Sequence, residues 1–232
     1  MAQTNGATVH PARVARLAEL NQDNYVKSRR SCSAILLAAG QSKRMGAFKP
    51  LLPFGNKTVI ECCIDYLREG GVETIVVVLG HRADEVRKHL DAVPGLTFAI
   101  NPDPNSEMGA SIAAGIRGLP AATEATLIAL CDHPAVPARV VSTLIDTWTN
   151  GARLVIPTWE NRGGHPVLVD FSFRTDLLQL SSTGGLRRLF EAHSKDVKRL
   201  PVDSPYIARD MDTWDDYVTL HMEVRGGPPP SH

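Results

Sequence analysis

The sequence predicts an α/β fold: a mainly parallel sheet with helices on both faces and a small antiparallel insertion late in the chain. Short apolar runs alternate with stretches of helical period from residue 33 to about residue 157, the pattern of successive βαβ units. The runs are continuously apolar, which suits strands buried on both faces. At 232 residues, 43% hydrophobic and 22% charged, the chain can also bury a sizeable core without metal or disulfide staples.

Taken in order, residues 33–39 read as a buried strand ending at Gly40. Residues 58–68 carry apolar side chains at helical spacing, and Gly70 and Gly71 stop that helix. Further strands are expected at 74–79, 96–100, 126–131 and 153–157, and helices at 83–90, 111–119 and 138–149. The later part reads as a strand at 166–169, a helix at 185–192, a strand at 197–202 and a terminal helix at 212–221. No internal repeat is visible. Residues 32–222 form one domain in this reading. Residues 1–31 are a polar extension with a short helical pattern at Val14, Leu17, Ala18 and Leu20, and the Gly/Pro-rich tail, 223–232, is expected to be disordered.

Charge and cysteine usage exclude several classes. Lys plus Arg and Asp plus Glu both number 25, so a dominant non-specific nucleic-acid binder is not expected. No run of eighteen apolar residues predicts a transmembrane helix, and the N-terminus lacks the apolar core of a secretory signal. Cys32, Cys62, Cys63 and Cys131 show no C-x-x-C spacing, which suits buried thiols in a reducing cytoplasm.

The segment Leu36-Leu37-Ala38-Ala39-Gly40-Gln41-Ser42-Lys43-Arg44-Met45-Gly46, followed by Lys49-Pro50-Leu51-Leu52, carries the strongest chemical signal. Small residues after a buried strand let backbone N–H groups approach an anion. In an open parallel sheet, ligands bind outside the carboxyl ends of the strands. Lys43, Arg44 and Lys49 add three cations, so a polyphosphate is the natural ligand; a glycine turn flanked by solvated basic residues is the alternative. Neither G-x-x-x-x-G-K-[ST] nor G-x-G-x-x-G occurs. The second signal is Leu130-Cys131-Asp132-His133-Pro134. Asp132 at a strand's end suits Mg²⁺, which takes one or two carboxylates plus phosphate oxygens, or it N-caps a helix starting near Val136. The third is Asp210-Met211-Asp212-Thr213-Trp214-Asp215-Asp216, where Asp212 also reads as an N-cap.

The run L-A-A-G-x-S-x-R-M-G-x-x-K-x-L-L resembles the signature of nucleotidyltransferases with the MobA-like NTP-transferase fold, and most of all their molybdenum-cofactor cytidylyltransferase branch. The resemblance runs from about residue 33 to residue 220. It implies a Rossmann-like three-layer α/β/α nucleotidyltransferase (GT-A-like) fold. It implies nucleotide contacts along Leu37, Ala38, Ala39, Gly40, Ser42, Lys43, Arg44, Gly46 and Lys49, and at Gly80, Ser111 and Asp132. Lys43 and Arg44 would hold the β- and γ-phosphates, and Lys49 the α-phosphate. Arg44, Lys49 and Asp132 are the implied catalytic residues. Mg²⁺ is the implied cofactor, held by Asp132 and by Asp210, with Asp212 as second choice.

Two further segments fit the family's pattern with departures. Asn101-Pro102 and Met108-Gly109-Ala110-Ser111 match it, but Glu107 replaces a usual Gly and would strain a turn that needs positive φ. Gly163-Gly164-His165-Pro166 resembles the acceptor-side strand, which implies that Gly164, His165 and Pro166 meet the acceptor; a glycine-rich turn into an edge strand is the other reading. An acidic residue that relatives carry near Thr183 is missing. Ala38-Ala39-Gly40 implies CTP as donor and a molybdopterin-type cofactor as phosphorylated acceptor, with a molybdoenzyme or its maturation chaperone as protein partner. Alternatives are a sugar-1-phosphate or other small-phosphate nucleotidyltransferase, and a non-catalytic nucleotide- or cofactor-binding module.

Overall fold

In the structure, a computed structural model, the first strand, β1 (Cys32–Ala38), sends alternate side chains to two cores: Ala34, Leu36 and Ala38 to one, Ile35 to the other. The structure describes residues 30–42, 44–103, 105–180 and 184–230. The helical pattern at Val14–Leu20, Lys43 and Thr183 therefore lie outside the described residues.

After β1, a 3-10 turn (Lys49–Leu51) and the hairpin of β2 (Pro53–Phe54) and β3 (Lys57–Thr58) lead into α1 (Val59–Glu69). Thr58 and Glu61 start α1 as a capping box, satisfying free N–H groups at its first turn. Then come β4 (Ile75–Leu79), α2 (Ala83–Leu90), β5 (Leu96–Ile100), α3 (Met108–Gly118), β6 (Ala125–Leu130) and α4 (Ala138–Thr149). The later part contains β7 (Leu154–Trp159), β8 (Arg162–Gly163), β9 (Val167–Asp170), α5 (Arg174–Leu178), α6 (Gly185–Ala192), β10 (Val197–Pro201) and α7 (Trp214–Arg225).

The main sheet runs β10-β7-β9-β6-β1-β4-β5, with β8 paired to β7. Strands β1, β4, β5 and β6 are parallel. Strand β9 lies between β6 and β7, antiparallel to both, and is the late insertion expected from the sequence. Apolar residues of α1, α2, α4 and α7 cover one face of the sheet, and those of α3, α5 and α6 the other, giving three layers. The chain moves from β1 to one side through β4 and β5, then returns to place β6 on the other side. Register pairs Ala38 with Leu79 and Leu37 with Leu130, so the carboxyl ends of β1, β4 and β6 share one edge. That is where an open α/β sheet forms its crevice.

Strand β5 and helices α2, α4 and α6 have the bounds the sequence predicts. Helix α3 starts at Met108 and not at Ser111. Helix α7 continues to Arg225, three residues into the segment expected to be tail. The Gly226 N–H closes it on the Met222 carbonyl at 3.0 Å, with Gly226 at φ 76°. His221 Nδ1 then donates to the Gly227 carbonyl at 2.7 Å, which holds the chain beyond the helix. No helix among the described residues is long and apolar enough to cross a membrane.

Candidate active site

A cavity of about 380 Å³ opens at the carboxyl edge of β1 and β6. Leu37, Ala38, Ala39, Gly40, Ser42 and Arg44 form one wall, and Lys49, Ser111, Asp132 and Asp212 also line the cavity. A Cβ built on Gly40 meets nothing within 4 Å, so protein packing does not demand its small size; a side chain there would project into free space. Ser42 takes a left-handed conformation, φ 50°, which is uncommon for a residue with a Cβ. Its carbonyl accepts from the Met45 N–H at 3.1 Å, and its Oγ accepts from the Lys49 N–H at 3.4 Å. The loop thus folds back and brings Arg44 and Lys49 to the same carboxylate.

That carboxylate is Asp212. Lys49 Nζ lies 3.1 Å from Asp212 Oδ1 and 3.7 Å from Asp132 Oδ2, and Arg44 Nη2 lies 2.6 Å from Asp212 Oδ2. The Lys49 side chain is only 10% exposed, which makes the pairing necessary as well as available. Asp132 Oδ1 is buried and has no hydrogen-bond partner among the described residues, although His133 Nε2 lies 3.5 Å away. Asp132 does not cap a helix: α4 starts at Ala138, after Pro137.

Asp212, and not Asp210, reaches the cavity. The Met211 side chain is fully buried and its N–H donates to the Asp132 carbonyl at 3.1 Å. This tether turns Asp212 inward, while Asp210 stays exposed outside the cavity wall. Asp212 does not cap α7 either. Thr213 is the N-cap, in a capping box with Asp216, so the Asp212 carboxylate is left for Lys49 and Arg44.

Across the mouth, Asn101 Nδ2 donates to Ser106 Oγ at 2.7 Å and to Ser111 Oγ at 2.8 Å. Asn101 Oδ1 accepts from the Asp103 N–H at 3.3 Å. Ser111 lies one turn inside α3 and is buried. Glu107 sits at φ −69° as the N-cap residue, so its replacement of a glycine strains nothing. Asn101, Asp103, Ser106 and Met108 join the wall without having been singled out as site residues. The signal for the first three is the run N-P-D-P-N-S, a cluster of turn formers at the carboxyl end of β5.

Several expected contacts lie outside the wall. Gly46, at φ 70°, serves the turn of the loop. Gly80 packs beneath it: a Cβ there would stand 2.9 Å from the Ala39 carbonyl and 3.2 Å from that of Asn101. Gly164 makes room for protein: a Cβ there would stand 2.1 Å from the Ile207 carbonyl oxygen. The His165 N–H donates to that same oxygen at 2.8 Å, and His165 Nδ1 donates to the Ile128 carbonyl at 3.2 Å. Burial pushes the His165 imidazole down from 6.5 to about 4, so it is neutral at physiological pH. Pro166 is buried. No group of three or more His, Cys, Asp or Glu among the described residues is arranged to hold a metal.

Comparison with known proteins places the chain in a family. A family model, the MobA-like NTP transferase domain, matches residues 34–197. The nicotine blue oxidoreductase of Paenarthrobacter nicotinovorans is 30% identical over 166 residues, 68% of this chain and 80% of that protein. The molybdenum cofactor cytidylyltransferase of Escherichia coli (strain K12) is 25% identical over 185 residues, 80% of this chain and 93% of that protein. The crystal structure of the Rv0371c homologue from Mycobacterium sp. strain JC1 matches at a TM-score of 0.74 and 30% identity, covering 86% of this chain and 99% of that one. Rv0371c of Mycobacterium tuberculosis H37Rv matches at 0.75 and 26%, covering 83% and 98%, and has also been crystallised in complex with manganese. The chain belongs to the MobA-like NTP transferase family and is a nucleotidyltransferase.

Proposed function

We propose that this enzyme transfers CMP from CTP to the phosphate of a molybdopterin-type cofactor and releases pyrophosphate. The observation that carries the reading is the meeting of Lys49 and Arg44 with Asp132 and Asp212 in one cavity at the sheet's carboxyl edge. Similarity to the cytidylyltransferase over 80% of this chain supports the choice of CTP and pterin, as does the resemblance of Ala38-Ala39-Gly40 to that branch. A molybdoenzyme or its maturation chaperone as partner, and a cytoplasmic location, follow from the same reading.

The residues present fit Mg²⁺. Two carboxylates suffice for a cation that keeps waters and takes phosphate oxygens from its substrate. Asp132 Oδ1 is also a buried oxygen that lacks a partner. Asp132 and Asp212 would hold the cation, and the manganese complex of Rv0371c supports a divalent ion in this fold family. When bound, it would neutralise charge on the phosphates.

In the proposed reaction an acceptor phosphate oxygen bonds to the α-phosphorus as the bond to the β-phosphate oxygen breaks. A phosphate monoester has its second pKa near ~6, so it is largely dianionic at neutral pH and needs no general base. The chain's contribution is positioning and charge neutralisation. Arg44 and the N–H groups after Ala38 take the pyrophosphate, and Lys49 takes the α-phosphoryl group.

The 30% identity to the protein named nicotine blue oxidoreductase is the observation behind a second reading, an added oxidoreductase activity. The test is Mg²⁺-dependent pyrophosphate release with each of the four NTPs, with and without molybdopterin cofactor, beside an NADPH-oxidation assay. Release with CTP only in the presence of pterin is expected. Release with UTP and a sugar 1-phosphate would move the substrate assignment. NADPH oxidation without pyrophosphate release would reject the transfer reading.

A further inference from the structure

We propose that Lys49 is an internal counterion that competes with the divalent cation for Asp132 and Asp212, so that the cation binds tightly only together with the triphosphate. The inference rests on the reading that this carboxylate pair holds the cation. Lys49 Nζ touches both carboxylates, at 3.1 Å and 3.7 Å, and Arg44 takes the second oxygen of Asp212 at 2.6 Å. Among the described residues, two carboxylates therefore meet two cations, and the cluster is balanced.

A dication arriving alone meets a buried ammonium already engaged with both of its ligands. Solvent screens that repulsion poorly, because the Lys49 side chain is 10% exposed. The triphosphate changes the balance. It offers Lys49 and Arg44 new anionic partners and brings negative charge that offsets the dication. Lys49 need not leave its place in the chain. Its N–H stays on Ser42 Oγ at 3.4 Å, and only the end of the side chain has to swing. Asp132 Oδ1, which Lys49 does not touch, is buried 3.5 Å from His133 Nε2 and lacks a hydrogen-bond partner among the described residues.

The test is calorimetric titration of Mn²⁺ alone, without nucleotide, into the wild-type chain and variants whose fold is checked by thermal unfolding. Lys49→Met is expected to bind Mn²⁺ roughly tenfold or more tightly than wild type, since one charge within 4–6 Å shifts affinity for another charge by about that factor. Arg44→Ala gives a smaller gain, because Arg44 is 74% exposed and touches only Asp212. Adding Asp132→Asn to Lys49→Met removes the gain. Equal Mn²⁺ affinity in wild type and Lys49→Met overturns the inference; if Asp132→Asn still weakens both, the cation assignment itself survives. A gain that persists in the Asp132→Asn and Asp212→Asn backgrounds overturns both. Where Lys49→Met does not fold, Arg44→Ala decides: no gain in Mn²⁺ affinity overturns the competition.

Discussion

Replacing Gly164 with Ala separates a packing role from a substrate role. The added Cβ would lie 2.1 Å from the Ile207 carbonyl oxygen, 2.5 Å from its carbon and 2.9 Å from Ile207 Cβ. Ordinary contact starts at 3.4 Å, so the two backbones must part by more than an ångström. They are held together where they cross: the Gly164 N–H donates to the Pro157 carbonyl at 3.0 Å and the His165 N–H to the Ile207 carbonyl at 2.8 Å. Overpacking costs about 1–3 kcal/mol, and each hydrogen bond lost adds about 1 kcal/mol. The sum, about 2–5 kcal/mol, lowers the melting temperature by roughly 4–20 °C for a chain of this size. Thermal unfolding measures the loss. Calorimetry with CTP and Mg²⁺ on the folded variant is expected to show unchanged nucleotide affinity, because Gly164 lies outside the cavity wall. A variant that melts with wild type would refute the packing argument. If it also lost only its affinity for the acceptor, the acceptor role implied by the family resemblance would be restored.

The other predictions concern the carboxylates, the α7 cap and one histidine. Asp212→Asn is expected to lower kcat/KM for pyrophosphate release by roughly 100-fold or more, whereas Asp210→Asn leaves it unchanged; equal losses would show that the exposed Asp210 is used after all. Thr213→Ala removes the acceptor of the Asp216 N–H and costs about 1 kcal/mol, a melting shift of roughly 2–4 °C. An unshifted midpoint would mean that the capping box contributes nothing. His165 has its pKa lowered from 6.5 to about 4, so the folded state binds fewer protons than the unfolded state between those values. Its stability contribution is complete above about pH 6.5 and disappears as the pH falls to about 4, a swing of about 3 kcal/mol. The stability difference between wild type and His165→Gln is therefore expected to shift against wild type by that amount from pH 7.5 to pH 4. A pH-independent difference would contradict the neutral, buried imidazole.

The elements legible in the sequence are those whose pattern has one period and clear stops. Helix α4 is one: Val140, Val141, Leu144 and Trp148 form its buried stripe, and Asn150-Gly151 ends it. Helix α3 is harder to delimit, because Met108, Gly109 and Ala110 carry no start signal and the extended Glu107 has no capping side chain. Residues of the loop after β1, and Asp132, singled out by residue type, do line one cavity. The choice between Asp210 and Asp212 was not legible. The run D-M-D-T-W-D-D offers four acids near one helix start, and the buried Met211 decides between them through its bond to the Asp132 carbonyl. Gly164 shows the same limit. A glycine reports that something comes close, and only the position of Ile207 says what.

The charge cluster answers a folding problem and a functional one with the same atoms. Lys49 is 8% exposed, and an unpaired ammonium at that depth would destabilise the fold. Asp132 and Asp212 remove that penalty in the unliganded protein. On the proposed reading, a triphosphate would take the same ammonium and a divalent cation the same carboxylates. The cluster can therefore be exchanged partner for partner, with no group left buried and uncompensated. This demands that Lys49 reach both acids from a neighbouring loop, which is why the left-handed turn at Ser42 matters. The strained serine, the buried lysine and the inward-turned Asp212 thus form one device, and each is explained by the other two.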